Sequence, residues 1–109
     1  MKYRVIIQPP AFDDLDEACA WLAARSPQAA ARWLEGMFAA IRTLESNPER
    51  CGLAPENDNV HYEIRQFLHG RRGNVYRVLF TIQAGAVRIL HVRHAARKFF
   101  DPEDLPEKA

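Results

Sequence analysis

Hydrophobic period changes part-way along this chain, and that change limits the folds open to it. Between Ala11 and Leu44 apolar residues recur at helical spacing; between Val60 and His94 they follow strand alternation. Ala11, Leu15, Ala18, Cys19 and Leu22 share one helix face, and Pro9-Pro10 opens the segment at positions where a missing N–H costs nothing. Asp13, Asp14, Asp16 and Glu17 crowd its first turns, where the helix dipole favours negative charge. Ser26-Pro27 reads as the cap and first residue of a second helix, whose apolar face is Ala30, Trp33, Leu34, Met37, Ile41 and Leu44 and which Asn47-Pro48 ends. Two helices separated by so short a break form an antiparallel hairpin.

Lys2–Gln8, rich in Tyr, Val and Ile and stopped by proline, reads as a first strand. Residues 49–59 have loop composition. Three β-rich runs follow, Val60–Phe67, Asn74–Ile82 and Val87–His94, joined by a basic two-glycine turn and by the short connection Gln83-Ala84-Gly85-Ala86. The order is β-α-α-β-β-β: an α+β domain with a helical hairpin packed on one face of a mostly antiparallel sheet. The domain is expected to span 1–98, followed by an acidic tail, 99–109, in which Phe99-Phe100 docks and the rest frays.

The 109 residues suffice for one domain. With 48% hydrophobic and 27% charged residues the chain can bury a core, and no apolar run approaches the roughly 18 residues of a bilayer span. No signal-peptide pattern opens it, so a cytoplasmic protein without membrane partners is expected. Cys19 and Cys51 are too few for a disulfide scaffold or zinc finger. Phosphate-loop, dinucleotide and nucleophile-elbow motifs are absent.

The net charge of +1 conceals a division. Residues 1–59 set six cations against nine carboxylates; residues 60–100 set seven arginines and Lys98 against Glu63 alone; the tail returns to net negative. An anionic partner is therefore expected to meet the C-terminal half, whether nucleic acid or an acidic protein.

Alternation indicates which basic groups can converge. In the central run Tyr76, Val78, Phe80 and Ile82 share the face that receives the helices, and Val75, Arg77, Leu79 and Thr81 share the other. Arg65 and Arg77 would stand together on that helix-free face if the strands are neighbours in matching register, a pair suited to phosphate or carboxylate oxygens. Glu63 reads best as a salt-bridge partner for one of them. His91 and His94, three apart on a strand, point to opposite faces and cannot share a metal, so neither metal nor cofactor is expected. His91 reads as a hydrogen-bonded core or edge residue; His94, at the strand's end beside Arg97, is the better acid–base candidate.

Tyr3-Arg4-Val5 with Ala11, Asp14 and Leu15; Ser26-Pro27 with Ala30-Ala31; Leu44, Pro48, Gly52 and Arg65; Tyr76-Arg77-Val78-Leu79-Phe80; and the run from Val87 to Arg97 together form a pattern. It resembles the RelE/ParE superfamily of type II toxin–antitoxin toxins, most closely the ParE-like branch. The resemblance implies the same fold, a cognate antitoxin whose acidic segment covers the basic sheet, and inhibition of DNA gyrase without catalysis. A RelE-like alternative, metal-independent cleavage of mRNA on the ribosome, would use Arg65, Arg77, His94 and Arg97. Glu63 stands at one basic position of that pattern, Ala95-Ala96 follow His94 and no tyrosine comes after it, which favours the ParE-like branch. A third alternative is a non-toxic module that only binds antitoxin. Target or antitoxin contacts are expected at Arg65, Arg71, Arg72, Arg77, Arg93 and Arg97, with a homodimer or a heterotetramer with antitoxin as assemblies.

Overall fold

The structure, a computed structural model, describes residues 2–107. Four strands, β1 (Arg4–Ile7), β2 (Arg65–His69), β3 (Tyr76–Gln83) and β4 (Ala86–His94), form one sheet in the order β1-β4-β3-β2. β1 lies parallel to β4, and the other two pairings are antiparallel. Helices α1 (Pro9–Ala23) and α2 (Pro27–Arg42) pack together as the expected hairpin against one sheet face.

Pro9 and Pro10 end β1 because neither can donate to the ladder. The chain turns directly into α1, which buries Ala11 and Leu15. No acidic residue lies in the first turn of α1; the carboxylates expected there begin in the second turn, where the dipole's effect is already falling. Ser26 caps α2 as anticipated, its Oγ accepting from the Ala29 amide at 3.2 Å. α2 buries Ala30, Met37 and Ile41, and a following 3-10 turn buries Leu44.

The face under the helices is a core of Val78, Phe80, Val87, Ile89 and Val92 against Ala11, Leu15, Met37, Ile41 and Leu44. The opposite face carries no helix, yet it is not open. Ala54, Ile64, Phe100 and Leu105 close over Leu79 and Leu90 as a second core. β2 begins at Arg65 rather than Val60. Residues 55–59 form a 3-10 turn instead, and Asn57 accepts the Ile64 amide through Oδ1 at 2.8 Å, so residues 60–64 follow this cover. Past Phe100 the tail does not fray as expected: Pro102–Asp104 is a 3-10 turn, Leu105 is buried, and Tyr62 donates its hydroxyl to the Pro106 carbonyl.

Along β3 and β4 the register slips once, with Phe80 opposite Ile89 but Leu79 opposite His91. Leu90 is thus the extra residue of a bulge, and both it and His91 pack on the second face.

Candidate functional site

The register separates the two arginines that alternation placed together. Arg65 pairs with Phe80 and so shares the helix side of β2; Arg77 pairs with Leu68 and Arg93 on the other side. The expectation of a joint Arg65–Arg77 site fails because β2 starts five residues later and one residue out of phase.

Arg77 is buried. Its Nη1 and Nη2 donate to Glu56 Oε2 and Oε1 at 3.0 and 2.5 Å, and Nε donates to Gln66 Oε1 at 3.0 Å. The side chains of the pair are 4% and 1% exposed. The Phe100 amide adds a bond to Glu56 Oε2 at 2.9 Å. Burial pushes the Glu56 carboxyl up, but the bonds from Arg77 and Phe100 outweigh it and hold the group below the ordinary carboxylate range. Each of the three guanidinium nitrogens thus makes a bond within the fold.

Arg65 is engaged differently. Nη1 donates to the carbonyls of Cys51 at 2.6 Å and Glu49 at 3.3 Å, and Nη2 lies 3.5 Å from Glu63, the salt bridge expected of that carboxylate. It ties the loop after α2 to the edge strand. Burial raises the neighbouring Cys51 thiol above its ordinary pKa, consistent with an unreactive group.

Both ring nitrogens of His94 have partners within the fold. Nε2 donates to the Gly73 carbonyl at 2.8 Å, and Nδ1 accepts from the Ala96 amide at 3.0 Å, which sets the tautomer. The ring meets Tyr76 edge-on at 5.1 Å, and Tyr76 in turn lies 5.0 Å from Trp33. His91 is a clasp on the second face: Nδ1 meets Asp14 Oδ2 at 2.8 Å, Nε2 meets the Asp104 carbonyl at 2.9 Å, and the ring lies 4.4 Å from Phe100.

The remaining candidates stay at the surface. Arg71 and Arg72 are exposed in the β2–β3 turn, where Arg72 has φ 53°, and Arg97 is exposed just after β4. Arg93 stacks over Phe100 at 3.6 Å and donates to the Lys98 carbonyl at 3.1 Å. Burial, then the nearby Arg97 charge, draws its pKa below the usual arginine value.

Beside Arg93 and Arg97 lies a groove of about 370 Å³ between α1 and the end of β4. One wall is Asp14, Glu17, Ala18 and Trp21; the other is Tyr76, Val92, His94 and the two arginines. Residues 14, 17, 18 and 21 have the i, i+3, i+4, i+7 spacing of one helix face. That signal was present in the sequence, beside the apolar stripe, but the wall opposite exists only once β4 is in place.

Among the described residues no three His, Cys, Asp or Glu side chains group as a metal site, and no helix is long and apolar enough to cross a membrane. Residues 5–99 match the family model described as ParE toxin of type II toxin-antitoxin system, parDE. The chain belongs to the ParE toxin family. A solved structure of the chromosomal ParDE TA system from P. aeruginosa is similar in fold, with a TM-score of 0.67 at 14% identity over 85% of this chain and 96% of that one. No curated protein is a significant match by sequence. The α+β fold and the type II toxin class expected from the sequence are those of the ParE family.

Proposed function

We propose that this ParE-family toxin acts by binding rather than by cutting: it inhibits DNA gyrase in the cytoplasm and is held silent by a cognate antitoxin. The observation that carries this reading is the buried Arg77–Glu56 pair. Phosphoryl chemistry on RNA requires cations and a proton-transfer group poised around one phosphate. Here Arg65 and Arg77 lie on opposite sheet faces, Arg77 is spent on Glu56, and both ring nitrogens of His94 are bonded within the fold. A toxin that occupies its target needs none of that machinery, only surface, and Arg71, Arg72 and Arg97 supply exposed positive charge.

The test is induced expression of the chain without antitoxin in bacteria, with DNA and protein synthesis followed separately by pulse labelling. Early loss of DNA synthesis with a DNA-damage response is the expected result. Early loss of protein synthesis would transfer the chain to the ribosomal ribonuclease alternative, and normal growth with soluble protein would leave an antitoxin-binding module. Arg65→Ala is expected to retain growth arrest, since this guanidinium is directed at backbone carbonyls; abolished arrest in a folded variant would count against the binding mechanism.

A further inference from the structure

Four segments distant in the chain meet at one end of the molecule. The β2–β3 turn lies beside the end of β4: His94 pairs with Tyr76, its Nε2 donates to the Gly73 carbonyl at 2.8 Å, and the Ala95 amide donates to the Val75 carbonyl at 2.8 Å. The first half of α2 reaches the same end, with the Trp33 ring 5.0 Å from Tyr76, and a Cβ at Gly36 would lie 3.8 Å from His69 Nε2. The last turn of α1 arrives there too, since Trp21 lines the groove with His94 and Arg97 and carries Arg25 over its ring at 3.8 Å.

Each of these segments brings positive charge. Arg25 and Arg32 come from the helical hairpin, Arg71 and Arg72 from the turn, and Arg97 and Lys98 from the chain after β4, and all are exposed. Arg32 lies one helical turn before Gly36 and so shares the face that meets His69. Among the described residues none of these cations forms an ion pair, whereas Arg65 and Arg77 of the same basic segment are paired with Glu63 and Glu56. Asp14 is held by His91 and the Val92 amide, and the acidic tail leaves this end at Phe100, which docks on the second sheet face. Glu17 is a carboxylate set among the cations. Like charges gathered with so little counter-charge raise the local potential by several kT, which an anionic partner relieves.

The form of the surface selects the partner. Gly70, Arg72 and Gly73 take φ of 112°, 53° and 80°, so Arg71 and Arg72 stand at the tip of a tight turn rather than along a strand. Gly70–Asn74 and Ala95–Lys98 present nothing apolar larger than alanine, and Trp21 at the margin has one ring face covered by Arg25. A protein interface is organised around an apolar centre, which these segments lack. A phosphodiester backbone needs only spaced cations, and the planar guanidinium fits its oxygens. The molecule measures 39 × 31 × 25 Å, so one side of it spans about one turn, roughly 34 Å, of duplex.

We infer that this end binds the phosphate backbone of duplex DNA, with the Arg71–Arg72 tip seated on the backbone and Arg25, Arg32, Arg97 and Lys98 flanking it. The inference goes beyond the gyrase reading and does not depend on it: the chain has a hold of its own on the duplex, carried by charge and indifferent to base sequence.

The experiment is fluorescence anisotropy of a labelled random-sequence duplex of about 20 base pairs, titrated with the full chain between about 50 and 200 mM salt. Binding is expected with Kd of roughly 1–100 μM at about 100 mM salt, and log K is expected to fall against log salt with a slope of about −3 to −4. Arg71→Gln with Arg72→Asn, where asparagine tolerates the left-handed backbone of residue 72, is expected to weaken binding at least about tenfold and to reduce the slope by about 2. Arg97→Gln with Lys98→Gln gives the same test outside the turn, should the first variant fail to fold. Arg42→Gln removes an exposed cation at the far end of α2 and is expected to change affinity less than about twofold. Absence of duplex binding at about 50 mM salt overturns the inference. So does an equal loss in Arg42→Gln and the Arg71/Arg72 variant, since affinity then follows net charge rather than this end. Poly-glutamate bound as tightly as the duplex, and lost in the same variants, overturns it in favour of an acidic protein partner.

Discussion

At the scale of single residues, Arg77 shows how one charge can be converted from a site candidate into a structural element. A buried guanidinium is tolerable only with its charge and its donors matched, and Glu56 and Gln66 match them. Glu56→Gln leaves the cation buried without a counter-charge and is expected to cost roughly 3–5 kcal/mol in urea unfolding. The same pair imposes a pH dependence. The Glu56 pKa is depressed in the folded state, so its stabilisation is complete above the unfolded carboxylate value of about 4.3 and is lost as pH falls through the lower folded value. Unfolding curves of the wild type below about pH 4 should show that loss, and those of Glu56→Gln should lack this component. Sequence position alone could not reveal the pairing, because Glu56 lies 21 residues away in a segment of loop composition. His94 illustrates the same point: its neighbours Gly73 and Tyr76 come from the preceding turn and strand.

At the scale of elements, the helices were legible because their stop and start signals are chemical and local. Pro9-Pro10 and Ser26-Pro27 act within a turn of chain and open α1 and α2 where expected, whereas α2 stops at Arg42, before Asn47-Pro48, with a 3-10 turn over Thr43–Glu45 between them. β2 was misplaced because Tyr62 and Ile64 have strand-like chemistry but bury themselves as a lid on the second face. The β2–β3 turn is held by Gly70, whose φ of +112° and 2.1 Å approach of an added Cβ to the Asn74 carbonyl exclude any side chain. Gly70→Ala is expected to destabilise by more than about 1 kcal/mol and to speed exchange across the β2–β3 ladder, measurable by amide hydrogen exchange. Phe100→Ala should cost about 3 kcal/mol in urea unfolding and make the tail sensitive to protease, since this ring spans His91, Arg93 and the second core. A cost near zero would show that the tail does not contribute to the cover.

At the scale of the whole molecule, the charge division has two destinations. Part of the basic segment is satisfied internally, through Arg77 with Glu56 and through Arg93 and His91 with the tail. Arg65 is likewise engaged by the Cys51 and Glu49 carbonyls and Glu63, Arg88 is half-buried, and Arg71, Arg72, Arg97 and Lys98 are exposed. Antitoxin affinity is therefore expected to fall as salt rises from 50 to 500 mM in titration calorimetry, by a smaller margin in Arg97→Glu than in the wild-type chain. An affinity independent of salt would assign the complex to apolar contacts alone.

The hydrophobic periods, the prolines and the capping serine determined by themselves the α+β class, the hairpin and the strand order along the chain, since each acts over a few residues. Likeness to the ParE branch was likewise carried by the order of short matching stretches. Register, and with it the company each side chain keeps, was decided only by the tertiary structure. A one-residue slip of β2 sends Arg65 and Arg77 to opposite faces, a bulge at Leu90 turns His91 onto the tail, and the groove beside Trp21 exists because β1 stops short of β4. These depend on contacts between segments far apart in the chain, which local pattern does not encode.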